Sequence, residues 1–297
     1  MHIPDMILST PVCAATTLIS LSGLGWAASQ VRQKESGVDP VRFAGVSALI
    51  FAGQMLNVPL AFGSSGHLFG GVLAAALLGI PWGMLSISVV LVVQCLVFSD
   101  GGLAALGANV MNMALLGAGL GGWLMRALTC KGFRYPAAAG LAAFGSVLVA
   151  ALAASLQLVW SGAAPLSTVL WALFLPHVAV AGFEGLVTAA VVLALVRDSG
   201  DIPVGKTARP LWVFGFPLAA LLCGLLSPWA SALPDAYERG LEILGIKVGE
   251  VATFVGVFPD YDLPGLGPVV AVVLAGWLGT MVAWIVASLV ATGTTQW

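Results

Sequence analysis

The head of the chain, Met1-His2, offers three nitrogens to one metal ion: the α-amino group, the His2 amide and the His2 imidazole. Chelation through them closes a five-membered and then a six-membered ring. Late first-row divalent ions favour amine and imidazole nitrogen, and a square-planar nitrogen site points to nickel or copper. The chain has three histidines in all, the others being His67 and His177. His67 is the natural fourth nitrogen, because it ends the run Gly63-Ser64-Ser65-Gly66, whose glycines let the backbone fold close to a ligand.

Other polar residues interrupt apolar stretches. Gln54 and Asn57 lie near the end of one such stretch, and Asn109 and Asn112 share one helical face at three-residue spacing. Polar side chains in hydrocarbon need partners. These four either orient the histidines through hydrogen bonds or bond between helices. His177 and Glu184 lie seven apart, two turns along one face, and an ionisable pair inside a membrane span is a functional position by default. An ion path, a proton-linked role and a hydrogen-bonding anchor all fit that pair.

The elements that must position these residues are membrane helices. The 297 residues are 60% hydrophobic and 8% charged, with a mean hydropathy of +1.04. That composition excludes a soluble domain. A span needs about 20 apolar residues, and nine candidates follow: 11–29, 43–62, 68–80, 82–98, 103–125, 137–160, 169–196, 211–232 and 267–291. The fold class is therefore an all-α polytopic membrane protein with about nine transmembrane helices. The third candidate is too short to span comfortably and carries Gly70, Gly71 and Gly79, which suits a tilted or re-entrant piece. Thr10 as N-cap and Pro11 at the first helical position open the first.

Lysine and arginine mark orientation, because short cytoplasmic loops collect them. Arg32, Lys34, Arg42, Arg126, Lys131, Arg134, Arg197, Lys206 and Arg209 fall on one side of nine crossings, Arg239 and Lys247 on the other. The N-terminus is thereby placed outside and the C-terminus in the cytoplasm, with His67 on the same outer side as Met1 and His2. The start lacks a basic n-region and a cleavage site, so Met1 is expected to persist as the N-terminus. Residues 1–196 form a metal-binding membrane domain of about seven helices, 197–210 a cytoplasmic linker, and 211–297 a two-helix accessory unit. The loop 233–266 is acidic, either as a solvated loop or as a weak funnel for cations.

Several functions are excluded. No basic patch suits nucleic acid. Cys13, Cys95, Cys130 and Cys223 lie singly and read as small core residues rather than a zinc or disulfide framework. Gly200 to Thr207 matches the phosphate-loop pattern G-x-x-x-x-G-K-T, but it follows a long apolar helix rather than a strand, so no nucleotide is expected there. The metalloprotease signature H-E-x-x-H is absent. A four-nitrogen chelate also leaves little room for a reactive water, which disfavours a metal-dependent intramembrane enzyme.

At these residues the sequence resembles the CbiM/NikM family, the metal-binding membrane component of energy-coupling-factor transporters for cobalt and nickel. The resemblance rests on Met1-His2-Ile3-Pro4-Asp5, on Asn57-Val58-Pro59 with Ser65-Gly66-His67-Leu68, on Phe98 to Gly102 with Leu106 to Asn109, and on His177 with Glu184-Gly185 and Thr188. It implies a metal site of the Met1 nitrogen, the His2 amide and ring nitrogens and a His67 ring nitrogen. Asn57, Ser65, Asp100, Asn109, Asn112, His177 and Glu184 would line its surroundings or path. It further implies Ni2+ or Co2+ as cargo, and a transmembrane coupling protein with two cytoplasmic ATPase subunits as partners. The location implied is the bacterial inner membrane. Residues 211–297 resemble the accessory domain named for Pro-Asp-Gly-Leu-Glu, with Pro234-Asp235-Ala236-Tyr237-Glu238 in that place. Met6 departs from the family, which usually has glycine there.

Overall fold

The computed structural model describes residues 2–33, 38–195, 215–246 and 254–295. Met1, the seam 197–210 and the phosphate-loop-like run 200–207 lie outside the described residues. Six of the expected segments are helices long and apolar enough to cross a membrane, among the described residues. They are α1 (Thr10–Gln33), α4 (Ile80–Phe98), α5 (Leu106–Cys130), α6 (Tyr135–Trp160), α7 (Leu166–Leu195) and α10 (Pro268–Thr295). Helix α5 passes through a π-helical stretch, Met111–Leu120, and α7 through a shorter one, Leu170–Phe174.

Among the described residues the other three segments hold shorter helices, so six of the nine expected crossings have full length. Helix α2 (Pro40–Met55) stops well before residue 62. Beyond it Val58–Pro59 (β1) pairs antiparallel with Ser65–Gly66 (β2), which turns the chain back toward the bundle. Helix α3 (Gly71–Leu78) is bounded by Gly70 at φ 75° and Gly79 at φ 84°. At 1.5 Å per residue it covers about 12 Å of a hydrocarbon core about 30 Å thick. Helix α8 (Gly215–Leu226) is the third. A further short helix, α9 (Ala236–Ile243), lies in the acidic connection between α8 and α10.

Small residues let the helices close on one another. Gly140 of α6 and Gly185 of α7 face each other so tightly that a Cβ on either would lie 2.8–2.9 Å from the other's carbonyl oxygen. Ala139, Ala142, Ala143, Ala150 and Ala154 are fully buried in α6. Gly121 and Gly122 of α5 pack against Val72, Ser146, Ala75 and Ile80, so these small residues serve the interior of this chain. Helices α8 and α10 pack on α2 and on each other, which sets the accessory segment against the first domain.

Three local expectations change. Helix α1 begins at Thr10, and Ser9 carbonyl accepts the Cys13 amide at 3.0 Å, so Ser9 occupies the capping position. Arg42 is no loop charge: it is buried in the first turn of α2, and its guanidinium donates to the carbonyl of Leu77 at the end of α3. Cys95 and Cys223 are buried as expected, but Cys130 is exposed.

Candidate metal centre

The chain entering α1 is held as an irregular tip rather than a frayed end. Asn109 of α5 accepts the Ile3 amide at 2.8 Å through Oδ1 and donates to the Ile3 carbonyl at 3.1 Å through Nδ2. Gly102 donates its amide to the same carbonyl at 2.9 Å, and Asp5 Oδ1 accepts the Ala104 amide at 2.9 Å. A Cβ at Gly102 would lie 2.1 Å from Asp5 Oδ1, so the pair Gly101-Gly102 is what lets the tip lie this low. Met6 follows at φ 65°, a left-handed conformation that glycine adopts without cost. Met6 is 71% exposed.

This tip brings His2 against His67. Their rings lie 5.2 Å apart, stacked at 26°, and the residues are only 7% and 6% exposed. The two histidines that the sequence set on one side are thus in direct contact. His67 is carried by the loop between β2 and α3, and that loop is fixed from below by Glu184. The Glu184 carboxylate accepts the amides of Phe69 at 2.6 Å and Gly70 at 2.8 Å, while Gln54 donates to the Phe69 carbonyl at 2.9 Å.

Hydrogen bonds set which ring nitrogen can bind a metal. Leu68 carbonyl lies 3.0 Å from His67 Nδ1 and can only accept, so Nδ1 carries the proton and Nε2 the lone pair. Gln94 Oε1 lies 3.1 Å from His2 Nε2 and can accept its proton, the tautomer that leaves the lone pair on Nδ1. Nδ1 is the nitrogen that closes a six-membered chelate with the His2 amide. Burial lowers the pKa of the His2 imidazole, against the opposing pull of Asp100. Burial first, then neighbouring positive charge including His2, brings His67 down to about 3. Both rings are therefore neutral at physiological pH and able to ligate.

Two carboxylates face these nitrogens. Asp100 Oδ1 is 3.2 Å from His2 Nδ1, and Asp235 Oδ2 is 3.8 Å from His67 Nε2. Among the described residues no three His, Cys, Asp or Glu side chains converge as a metal centre.

The other predicted residues separate into roles. His177 lines a crevice with His67 and Asp235, and its Nδ1 donates to the Leu173 carbonyl at 2.7 Å. Asn112 does not reach the histidines; it pairs with Gln157 of α6 through two amide hydrogen bonds of 3.1 and 2.9 Å. Asn57 and Ser65 contact the accessory segment: Asn57 carbonyl accepts the Ser231 amide at 2.8 Å, and Ser65 Oγ donates to Leu233 carbonyl at 2.8 Å.

Gln94, Asp235 and Tyr261 were not legible as site residues. Gln94 could have been flagged as a polar residue in an apolar span. Asp235 could have been read with Glu238 as a capping box, which the structure shows in full at the start of α9. Tyr261, which donates to Asp100 Oδ2 at 2.7 Å, belongs to the run Phe258-Pro259-Asp260-Tyr261 that resembles the accessory domain, but nothing in that run pointed to the histidines.

Six helices long and apolar enough to cross a membrane, with two buried imidazoles in contact beside the entry to the first, define a multi-pass membrane protein with a buried histidine pair. Residues 2–202 match the family model described as the cobalt uptake substrate-specific transmembrane region, CbiM, and the chain belongs to that family. It is 34% identical over 288 residues to a putative fused nickel transport protein NikMN of Archaeoglobus fulgidus, covering 95% of both chains. It is 32% identical over 300 residues to the fused nickel transport protein NikMN of Rhodobacter capsulatus, covering 89% of this chain and 84% of that one. A crystal structure of a transition metal transporter aligns with a TM-score of 0.61 at 29% identity, covering 71% of this chain and 99% of that one.

Proposed function

We propose that this chain is the substrate-binding component of an ATP-driven uptake transporter of the energy-coupling-factor type, and that its cargo is Ni2+. The observation that carries the reading is the buried contact of His2 with His67, each with its metal-facing nitrogen fixed by a hydrogen bond to the other ring nitrogen. The ligands are the Met1 amine, the His2 amide, His2 Nδ1 and His67 Nε2. Met1 lies outside the described residues, and its amine enters as the donor that chelate geometry requires. The tip faces the outside of the inner membrane, and transport energy comes from a coupling protein with two cytoplasmic ATPase subunits. The chain itself binds no nucleotide and catalyses no reaction.

Ni2+ is preferred to Co2+ because nitrogen sites bind nickel more tightly and because the full-length relatives are named as nickel transport proteins. Co2+ uptake is the second reading, supported by the family description. Competition of the two ions for the purified protein separates them. One equivalent of Ni2+ should bind and resist displacement by equimolar Co2+; preferential retention of Co2+ would reverse the assignment.

A further inference from the structure

The accessory segment reaches both loops that carry the site. On the His67 side, Ser231 donates its amide to Asn57 carbonyl and Ser65 donates its amide to Pro234 carbonyl, each at 2.8 Å. On the His2 side, Phe258 donates to Val97 carbonyl at 2.7 Å, and Gly256 donates to Ser99 Oγ at 2.7 Å. Tyr261 stacks on Phe98 at 4.5 Å and fixes Asp100 by the hydrogen bond from its hydroxyl. Fastening explains the backbone contacts. It does not explain why each fastening point also delivers a carboxylate to a metal-facing nitrogen.

Asp235 shows the division within one side chain. Its Oδ1 caps α9, accepting the amides of Tyr237 at 2.7 Å and Glu238 at 2.8 Å. Its Oδ2 is the oxygen that faces His67 Nε2. A divalent ion held by an amine, a deprotonated amide and two neutral imidazoles leaves a net single positive charge. In a buried site that charge is poorly screened and needs a counter-ion.

We propose that the accessory segment completes the metal site: Asp235, together with Asp100 held in place by Tyr261, supplies the counter-charge of the bound divalent ion without joining its coordination plane. This rests on the ligand assignment proposed above. Asp235 acts as an affinity-determining residue, and Tyr261 as a positioning residue acting through Asp100.

Asparagine caps a helix as well as aspartate does, so Asp235→Asn removes the charge and keeps α9 capped. The test titrates Ni2+ into the purified full chain and records the visible absorption of the bound ion. Wild type is compared with Asp235→Asn, Asp235→Ala, Tyr261→Phe and His67→Ala. Asp235→Asn and Asp235→Ala should both weaken binding by about tenfold or more, with the visible band unchanged because the four nitrogens stay in place. Tyr261→Phe should weaken it by a smaller factor, again with an unchanged band, and His67→Ala should lose both band and binding. If His67→Ala abolishes binding while Asp235→Asn binds as wild type, the counter-charge role is wrong and the ligand site stands. If only Asp235→Ala weakens binding, the residue is a helix cap and nothing more. If His67→Ala binds as wild type with its band intact, both readings fall.

Discussion

Asn109 grips Ile3 at both ends, its amide oxygen on the Ile3 N–H and its amide nitrogen on the Ile3 carbonyl. Both residues are buried, so the residue after His2 is fixed to α5 by a two-point contact that water cannot replace. Asn109→Ala should leave the buried Ile3 N–H without its acceptor, at about 1–3 kcal/mol, while the Ile3 carbonyl keeps the Gly102 amide. Ni2+ affinity should fall by about tenfold to a hundredfold, measured by calorimetry. Asn112→Ala, one turn further along α5, breaks only the pairing with Gln157. It should lower the melting temperature with a much smaller effect on metal affinity.

Glu184 does for the His67 loop what Asn109 does for the tip. Glu184→Gln keeps one acceptor oxygen and turns an amide donor toward the other backbone N–H, at a cost of about 1–3 kcal/mol. The purified variant should melt at a lower temperature and bind Ni2+ more weakly. An unchanged melting temperature would show that the carboxylate is held there for ion passage rather than as an anchor.

Met6 adopts φ 65°, where a non-glycine residue costs about 1–2 kcal/mol. Met6→Gly should therefore bind Ni2+ at least as tightly as wild type and be no less stable in thermal unfolding. A clear loss of affinity would instead assign its thioether to the metal.

Protons compete with the metal. His67, at about 3, and His2, shifted down by burial, are already neutral near pH 7 and release no proton when metal binds. The amine and amide must each release one, so affinity should rise by about tenfold to a hundredfold per pH unit below the amine pKa of about 8. The histidines add to this only in acid. Their folded pKa values lie below the unfolded value of about 6.5, so an opened tip takes up protons first. The stability this contributes is present above about pH 6.5 and is lost as pH falls toward 3. Ni2+ titrations at pH 6, 7 and 8 read the slope; a flat profile would exclude amide ligation.

The apolar runs and the histidine pair were legible because each rests on local sequence. Hydropathy marked the six long helices, and the glycine-flanked loop singled out His67 as a partner for His2. Two segments proved shorter for reasons a composition window averages away: Pro59 and the turn back through β2, and the left-handed glycines around α3. Asn109 and Asn112 looked equivalent by spacing, yet one holds the tip and the other binds α6, because only tertiary packing decides what each amide meets. Asp235 read only as part of an acidic loop, solvated or a weak funnel for cations, since its partner His67 is 168 residues away. Met6 carried the opposite lesson: the glycine usual at that place reflects the backbone conformation, which the sequence could only register as a departure.

Blocking the α-amino group tests the central claim most directly. N-terminal acetylation, or extension by a few residues ahead of Met1, leaves every side chain of the site in place and removes one donor of the chelate. The purified blocked protein should lose Ni2+ binding and its visible band while keeping the thermal stability of the metal-free wild type. Ni2+ bound by the blocked protein with unchanged affinity and spectrum would contradict the amine–amide–imidazole site.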